Sequence, residues 1–336
     1  KMENEISPNE LDVKLSEKAR RRAVKGDTNF TVGGLLIYFV IFLGVEVADM
    51  IIRMIGMIIK AGGDPDVQVI IDETVDYYLT HAGCLIVGVI LGVAFMFLFF
   101  RNRVKPAELF RSRGKMTPKT FFVLLCVFMG SQLVFTGLGI LVEMLLNHFG
   151  LTAEMGTEAA QAGTSTLSMF IYAGFLGPIA EELVFRGFLM RSLEKHGKVL
   201  AIVFTSVLFG LMHTNLVQTI FAAVIGLVLG YTAMEYGIGW SITLHILNNF
   251  LFGDMLSKLE DHIPETAANI LEYSLLGAFT LLGGYFLVVY RKKILSYIAE
   301  HRSLPKTALW VYTAVCSIVF IAITLVLTAS IIQKMA

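Results

Sequence analysis

The chain has 336 residues, of which 56% are hydrophobic and 16% charged, with a formal net charge of zero and a mean hydropathy of +0.71. A soluble domain carries about 25% charged residues and lacks recurring long apolar runs, so a soluble protein is excluded. Only helices and closed barrels satisfy the backbone in lipid, and the alternating segments of a barrel are not visible. The composition therefore predicts an all-α, polytopic transmembrane helical bundle.

Apolar runs recur along almost the whole chain, and about 20 residues are needed to cross a bilayer. They predict eight to nine helices, with these nine as candidates: 31–53, 79–100, 120–146, 166–190, 199–213, 216–234, 238–256, 270–290 and 307–332. The first run follows a charged stretch without a small-residue cleavage site, which predicts a retained helix and not a removed signal peptide. The preceding residues, 1–29, are predicted to form an amphipathic or disordered arm.

The basic residues are unevenly distributed among the loops. Most of the 27 lysines and arginines precede the first helix, lie between helices two and three, end the fourth helix, or separate helices eight and nine. The positive-inside rule predicts a multi-pass protein of the cell membrane with a cytoplasmic N-terminus and an extracytoplasmic C-terminus. Basic runs beside helix ends are topology signals and contacts with anionic membrane lipids, so a nucleic-acid partner is not predicted.

Two adjacent glutamates interrupt the fourth predicted helix. Ionisable groups inside a span cost several kcal/mol each (~2.5 to 3.5 on insertion scales), which makes them candidate functional residues. Glu182 and Arg186 are four apart and share a face, so they are expected to form an ion pair, with helix locking an equally good explanation. Glu181 points about 100° away and is a candidate general base. Pro178 cannot donate to the carbonyl of Gly174, which predicts a kink or widened cavity.

Polar residues also interrupt the fifth and seventh predicted helices. Phe209 and His213 are four apart at the end of the fifth, and His245 and Asn249 are four apart on one face of the seventh. Asn248 lies on another face, where interhelical packing is its expected role. A lone histidine is usually a satisfied core residue, but two histidines, two glutamates and an asparagine on three helices favour a site. We expect no serine or cysteine nucleophile near this cluster.

Three motifs follow one another in this order: Glu-Glu-x-x-x-Arg at 181–186, Phe-x-x-x-His at 209–213 and His-x-x-x-Asn at 245–249. Together they resemble the CAAX protease and bacteriocin-processing (CPBP, or Abi) family of intramembrane proteases, and are similar to the type 2 CAAX prenyl endopeptidases. The resemblance covers roughly residues 120–255. It implies an intramembrane protease with a catalytic helical core at 120–256. The charge and hydropathy pattern places a cytoplasmic N-terminal arm (1–29) and accessory helices with a basic loop (30–119) before this core, and C-terminal helices (257–336) after it.

The resemblance also implies roles for the polar residues. Glu181 and His213 would activate a water, and His245 and Asn249 would stabilise the oxyanion. The supporting residues would be Glu182, Arg186 and Phe209. The chemistry fits these roles, because a carboxylate and an imidazole accept protons and an amide and an imidazole donate hydrogen bonds to a tetrahedral intermediate.

The same residues raise the question of whether the reaction uses a metal ion. Glu181, His213 and His245 are the ligands that would hold zinc with an open position, but the HExxH spacing is absent. We therefore predict a glutamate-dependent mechanism without a cofactor, with a zinc-dependent mechanism as the alternative.

Two further classes of protein remain open: a non-catalytic membrane scaffold or regulator with this fold, and a transporter that uses the polar cluster as an ion site. A transporter is expected to have broken helices in paired positions, and only the fourth predicted helix contains an obvious break. The expected partner is a peptide or lipidated-protein substrate, and prenylated CAAX tails, bacteriocin leaders, peptide pheromones and membrane-anchored regulators all satisfy this description.

Overall fold

The computed structural model describes residues 16–62, 66–153, 166–250, 258–259 and 262–334. The helices of the described residues are Glu17–Ala61 (α1), Val67–Thr80 (α2), Gly83–Phe100 (α3), Pro106–Leu109 (α4), Pro118–His148 (α5), Leu167–His196 (α6), Lys198–Met212 (α7), Leu216–Glu235 (α8), Ile238–Ile246 (α9), Glu265–His301 (α10), Pro305–Tyr312 (α11) and Val315–Ser330 (α12). Two short strands, Leu151–Thr152 (β1) and Gln333–Lys334 (β2), pair antiparallel.

The protein is an all-α polytopic helical bundle, which confirms the predicted fold class. Among the described residues, six helices are long and apolar enough to cross a membrane: α1, α3, α5, α6, α8 and α10. The pair α11 and α12 would be a seventh span, although the two helices meet at an angle of 61°. The fifth predicted helix is the shorter apolar α7, and the seventh is α9 with a π-helical continuation over residues 247–250.

The first helix is longer than its apolar run. It begins at Glu17 with Ser16 as its N-cap, so the described part of the predicted arm is helical, while residues 1–15 lie outside the described residues. This extension packs on the C-terminal helices: Lys25 Nζ donates to the carbonyl of Thr313 at 2.8 Å, and Val24 is buried. These contacts give the basic extension an ordered partner, which the sequence pattern did not reveal.

The last predicted helix, 307–332, is broken. α11 ends at Tyr312 and α12 begins at Val315, so the expectation that only one predicted helix is interrupted is wrong. The break is stabilised by polar partners: the side chain of Asn29 accepts from the Cys316 amide at 3.1 Å, and Ser317 Oγ donates to the Val311 carbonyl at 2.8 Å. The end of one helix leaves free carbonyls and the start of the next leaves free amides, and inside an apolar bundle both need such partners.

Helix α6 lies at the centre of the bundle, with α1, α3, α7, α8 and α9 packed around it. Its residues from Leu183 to Met190 are all buried. α7 and α8 form a tight antiparallel pair next to it, because Gly210 brings the helices so close that a Cβ there would lie 2.3 Å from the Thr219 carbonyl oxygen. A salt bridge of 2.9 Å between Lys198 and Glu235 joins the far ends of this pair. The central position of α6 places its glutamates where several helices can reach them.

The four basic stretches meet at one end of the bundle. Asp27 of α1 forms salt bridges with Arg103 at 2.6 Å and with Lys195 of α6 at 2.8 Å. Lys306, which follows α10, pairs with Glu17 at 2.9 Å. β1 and β2, which follow α5 and α12, pair with each other through Leu151 and Lys334. This grouping is the one that the predicted topology requires, while the side of the membrane that each end faces stays a prediction.

Candidate active site

Helix α6 changes its winding on both sides of the two glutamates. A π-helical segment, Tyr172–Leu176, precedes the α-helical turn Gly177–Glu182, and a second, Leu183–Met190, follows it. The structure thus has π-helical winding at the place where Pro178 predicted a kink or a widened cavity, and π-segments of this kind are frequent at functional sites.

The π-helical winding also changes which carbonyl Pro178 leaves free. The amide of Gly177 donates to the carbonyl of Tyr172, five residues earlier. In the same register Pro178, which has no N–H, leaves the carbonyl of Ala173 without a main-chain donor, one residue before the Gly174 carbonyl that an α-helix would leave. Asn249, in the π-helical continuation of α9, donates from Nδ2 to this Ala173 carbonyl at 3.0 Å. The helix break thus binds one of the predicted site residues.

The Glu182 carboxylate is fully buried and accepts three hydrogen bonds. The donors are Arg186 Nη1 at 2.8 Å, Ser241 Oγ at 2.5 Å and His245 Nδ1 at 3.1 Å. Arg186 is equally buried, donates to the carbonyl of Gly226 at 3.3 Å, and lies 4.3 Å above the ring of Phe209. A buried carboxylate with three donors, one of them a guanidinium, is stabilised in its charged form.

His245 lies between the two glutamates. Its Nδ1 is directed at Glu182, and its Nε2 lies 3.6 Å from Glu181 Oε2. The side chain of Glu181 is 23% exposed, whereas that of Glu182 is 0% exposed. Only Glu181 can therefore meet a water or a substrate, while Glu182 orients the imidazole from behind, as outer-shell carboxylates do for histidines in other sites.

His213 is connected to the cluster by the ring of Phe209, which contacts the rings of both histidines. It follows the last residue of α7, and its Nδ1 bonds to the carbonyl of Phe209 at 2.8 Å. A carbonyl only accepts, so Nδ1 carries the proton and Nε2 of the neutral imidazole is a base. The Phe209 ring lies 5.0 Å from the His213 ring and 6.0 Å from the His245 ring. The described residues show no hydrogen bond between His213 and Glu181, so the structure brings these two predicted partners only into the same neighbourhood.

A serine that the sequence pattern did not single out, Ser241, lies in the cluster. Ser241 is four residues before His245 on α9, and this spacing was the available signal that both side chains share a face. Its hydroxyl is buried and donates to Glu182, so it is not exposed to a substrate as a nucleophile must be.

The predicted zinc ligands do not converge. Among the described residues, no three histidine, cysteine, aspartate or glutamate side chains are arranged to hold a metal ion. Both ring nitrogens of His245 are directed at carboxylates, and Nδ1 of His213 is bonded to a main-chain carbonyl. Glu181, His213 and His245 therefore do not fit a zinc ion as they stand, and we derive no step through a metal.

The three motifs lie in order on α6, at the end of α7, and on α9 with its π-helical continuation. Residues 163–251 match the family described as Type II CAAX prenyl endopeptidase Rce1-like. This Rce1-like segment is about a quarter of the chain and contains all three motifs. The predicted resemblance is confirmed over the segment, and with the apolar helices it supports a multi-pass membrane protease. No curated protein and no solved structure gives a significant match to the chain.

Proposed function

We propose that this protein is an intramembrane endopeptidase that hydrolyses a peptide bond of a membrane-associated substrate. The observation that carries the proposal is the arrangement of His245 between a partly exposed and a fully buried glutamate. The buried Glu182 holds the imidazole, and the open Glu181 is left to act on water. Two glutamates with different environments are what a division between positioning and proton transfer requires.

The Glu181 carboxylate serves as the general base in this proposal, with Nε2 of His213 as a second acceptor. A water that donates to Glu181 loses its proton as its oxygen attacks the carbonyl carbon of the substrate. The same carboxyl then delivers that proton to the leaving amine when the tetrahedral intermediate collapses. Positioned proton transfer of this kind contributes about 10²- to 10⁴-fold to a rate.

His245 and Asn249 stabilise the oxyanion. His245 Nδ1 is bonded to Glu182, and its Nε2 is directed towards Glu181, so that an N–H at Nε2 would point to the place where the oxyanion forms. Asn249 uses one amide hydrogen on Ala173 and keeps the other for the substrate oxygen. Donors fixed before the reaction are effective because they need no reorganisation in a site of low dielectric constant.

The substrate is a peptide or a lipidated protein, and a prenylated CAAX tail is the first candidate because the matched family is one of CAAX prenyl endopeptidases. We infer that the basic end of the bundle faces the cytoplasm, with the N-terminus, and that the C-terminus lies outside the cell. This orientation follows from the positive-inside rule.

The test uses the purified chain in proteoliposomes and a quenched fluorescent peptide that ends in a farnesylated CAAX sequence, beside a library of unmodified peptides. Glu181→Ala and His213→Ala are expected to lower kcat by about 10²- to 10⁴-fold. Glu272→Ala on α10 serves as the matched control for removal of a glutamate from the membrane domain. Equal activity of the wild type and both site variants would overturn the assignment.

The same assay separates the two possible chemistries. After dialysis against a chelator we expect glutamate-dependent cleavage to persist. Loss of activity that zinc restores would instead favour ligation of a metal by Glu181, His213 and His245.

A further inference from the structure

Three amide side chains form a hydrogen-bonded row from α5 through the end of α9 to α6. Gln132 Nε2 donates to Asn248 Oδ1 at 2.5 Å, and Asn248 Nδ2 donates to Asn249 Oδ1 at 2.9 Å. Asn249 Nδ2 then donates to the Ala173 carbonyl at 3.0 Å. We refer to Gln132, Asn248, Asn249 and this carbonyl as the amide relay.

The direction of the amide relay is set at its α6 end. The two ends of a side-chain amide are alike in shape, and their orientation is decided by their partners. A main-chain carbonyl only accepts, so Asn249 must turn its nitrogen towards Ala173 and its oxygen towards Asn248. Asn248 must then present its nitrogen to Asn249 and its oxygen to Gln132, which in turn must donate. Each amide thus has one orientation that satisfies its neighbours.

We propose that Gln132 and Asn248 are positioning residues that hold the Asn249 amide with its nitrogen towards the scissile carbonyl. This inference rests on the proposed function, because Asn249 acts there as an oxyanion donor. Without the Gln132 donor, Asn248 can turn over and present its oxygen to Asn249. Asn248 then competes with the Ala173 carbonyl for the Asn249 nitrogen, and an Asn249 amide that turns towards Asn248 would direct its oxygen at the Ala173 carbonyl and the developing oxyanion. Repulsion between these oxygens is strong in a site of low dielectric constant.

Gln132 lies outside the Rce1-like segment, which begins at residue 163. Its side chain and those of the two asparagines are only partly exposed, so bulk water does not readily replace the bonds between them. α5 therefore contributes a residue to the site from a part of the chain that the family match does not include.

The first test replaces the relay's first donor. Gln132→Leu is expected to lower kcat for the farnesylated peptide by about tenfold with an unchanged KM, the effect expected from coupling within one hydrogen-bond network. Thr280→Val is the matched control, because Thr280 Oγ1 also donates across a helix contact, to the α5 carbonyl of Gly130 at 3.2 Å, but is not part of the relay. The control is expected to keep the wild-type kcat.

The second test uses Gln132→Glu, which keeps the shape of the side chain. A protonated carboxyl donates to Asn248 Oδ1 as the glutamine does, whereas an ionised carboxylate only accepts and reverses the relay. The kcat of this variant relative to the wild type is therefore expected to fall as the pH rises through the pKa of the introduced carboxyl. The same ratio for Gln132→Leu is expected not to depend on pH. A purely structural role for residue 132 does not produce this difference.

The outcomes separate the relay from the function on which it rests. A wild-type kcat for Gln132→Leu, in a protein that Glu181→Ala inactivates, would overturn the relay and leave the protease intact. A pH-independent ratio for Gln132→Glu, or an equal loss in Thr280→Val, would also overturn the relay. Full activity of Glu181→Ala would overturn the proposed function and, with it, the role of Asn249.

Discussion

Glu181 and Glu182 are neighbours in the chain but occupy opposite environments. Glu182 is enclosed by Arg186, Ser241 and His245, whereas Glu181 is partly open and faces the other nitrogen of His245. Substitution of each carboxylate by its amide should therefore have different consequences for the fold and for the chemistry.

Glu182→Gln is expected to destabilise the protein by about 3–5 kcal/mol, because it leaves the buried guanidinium of Arg186 without its counter-charge. Glu181→Gln is the matched control, since it changes a partly exposed carboxylate in the same helical turn and should lower activity with little effect on stability. The thermal unfolding midpoints of both variants in detergent measure the difference. Equal midpoints would show that the ion pair does not stabilise the bundle.

Ser241→Ala tests whether the serine that donates to Glu182 is structural. It removes one donor to Glu182 and should cost about 2 kcal/mol, while Arg186 and His245 still hold the carboxylate. We expect kcat to stay within about tenfold of the wild type, since the proposed chemistry uses water as the nucleophile. Covalent labelling of this serine by an acylating serine-hydrolase reagent, together with complete loss of activity in the variant, would contradict that chemistry.

At the scale of elements, the winding of α6 and the close approach of helices determine which side chains meet. The pairing of Glu182 with Arg186 could be predicted from a spacing of four residues, because that contact lies within one helix. The free carbonyl at Ala173 could not be predicted from the sequence, because a switch to π-helical winding depends on how neighbouring helices satisfy the backbone. The i to i−4 hydrogen-bond pattern of an α-helix therefore predicted a free carbonyl at Gly174, one residue after the carbonyl that is free in the structure.

The contact between α5 and α10 offers a test of helix packing with two consecutive glycines. A Cβ at Gly283 would lie 2.6 Å from the Cys126 carbonyl oxygen, whereas a Cβ at Gly284 would meet nothing within 4 Å. Gly283→Ala should therefore destabilise the bundle by about 1–3 kcal/mol. Gly284→Ala should be neutral or stabilise it by up to about 1 kcal/mol. Thermal unfolding in detergent measures both, and an equal loss in the two variants would contradict the close approach.

At the scale of the whole molecule, contacts between distant segments gather the basic stretches at one end. Glu17 and Lys306 meet there although they are 289 residues apart in sequence. The pairing of Leu151 with Lys334 likewise joins the region after α5 to the region after α12. These contacts constrain the topology more firmly than a count of helices, because segments in contact must lie on the same side of the membrane.

Labelling of single cysteines tests this topology. In a background where Cys84, Cys126 and Cys316 are replaced by alanine, Lys334→Cys should react with a membrane-impermeant maleimide in intact cells. Glu300→Cys, near the basic end of α10, should react only after the membrane is permeabilised. The two positions are predicted to lie on opposite sides because basic residues are retained in the cytoplasm. Labelling of both in intact cells would contradict the predicted orientation.

The sequence by itself determined the class of fold and marked the polar residues of the three motifs as candidates for the site. Long apolar runs require helices in lipid, and a charge within such a run, as at Glu181, is costly enough to mark a site. Only the tertiary structure decided how these residues are connected. The bond between His245 and Glu182 joins residues 63 apart, and Ser241 and Gln132 enter the cluster through contacts between helices. Helical periodicity specifies which residues share a face of one helix, but the partner of that face depends on how the helices pack.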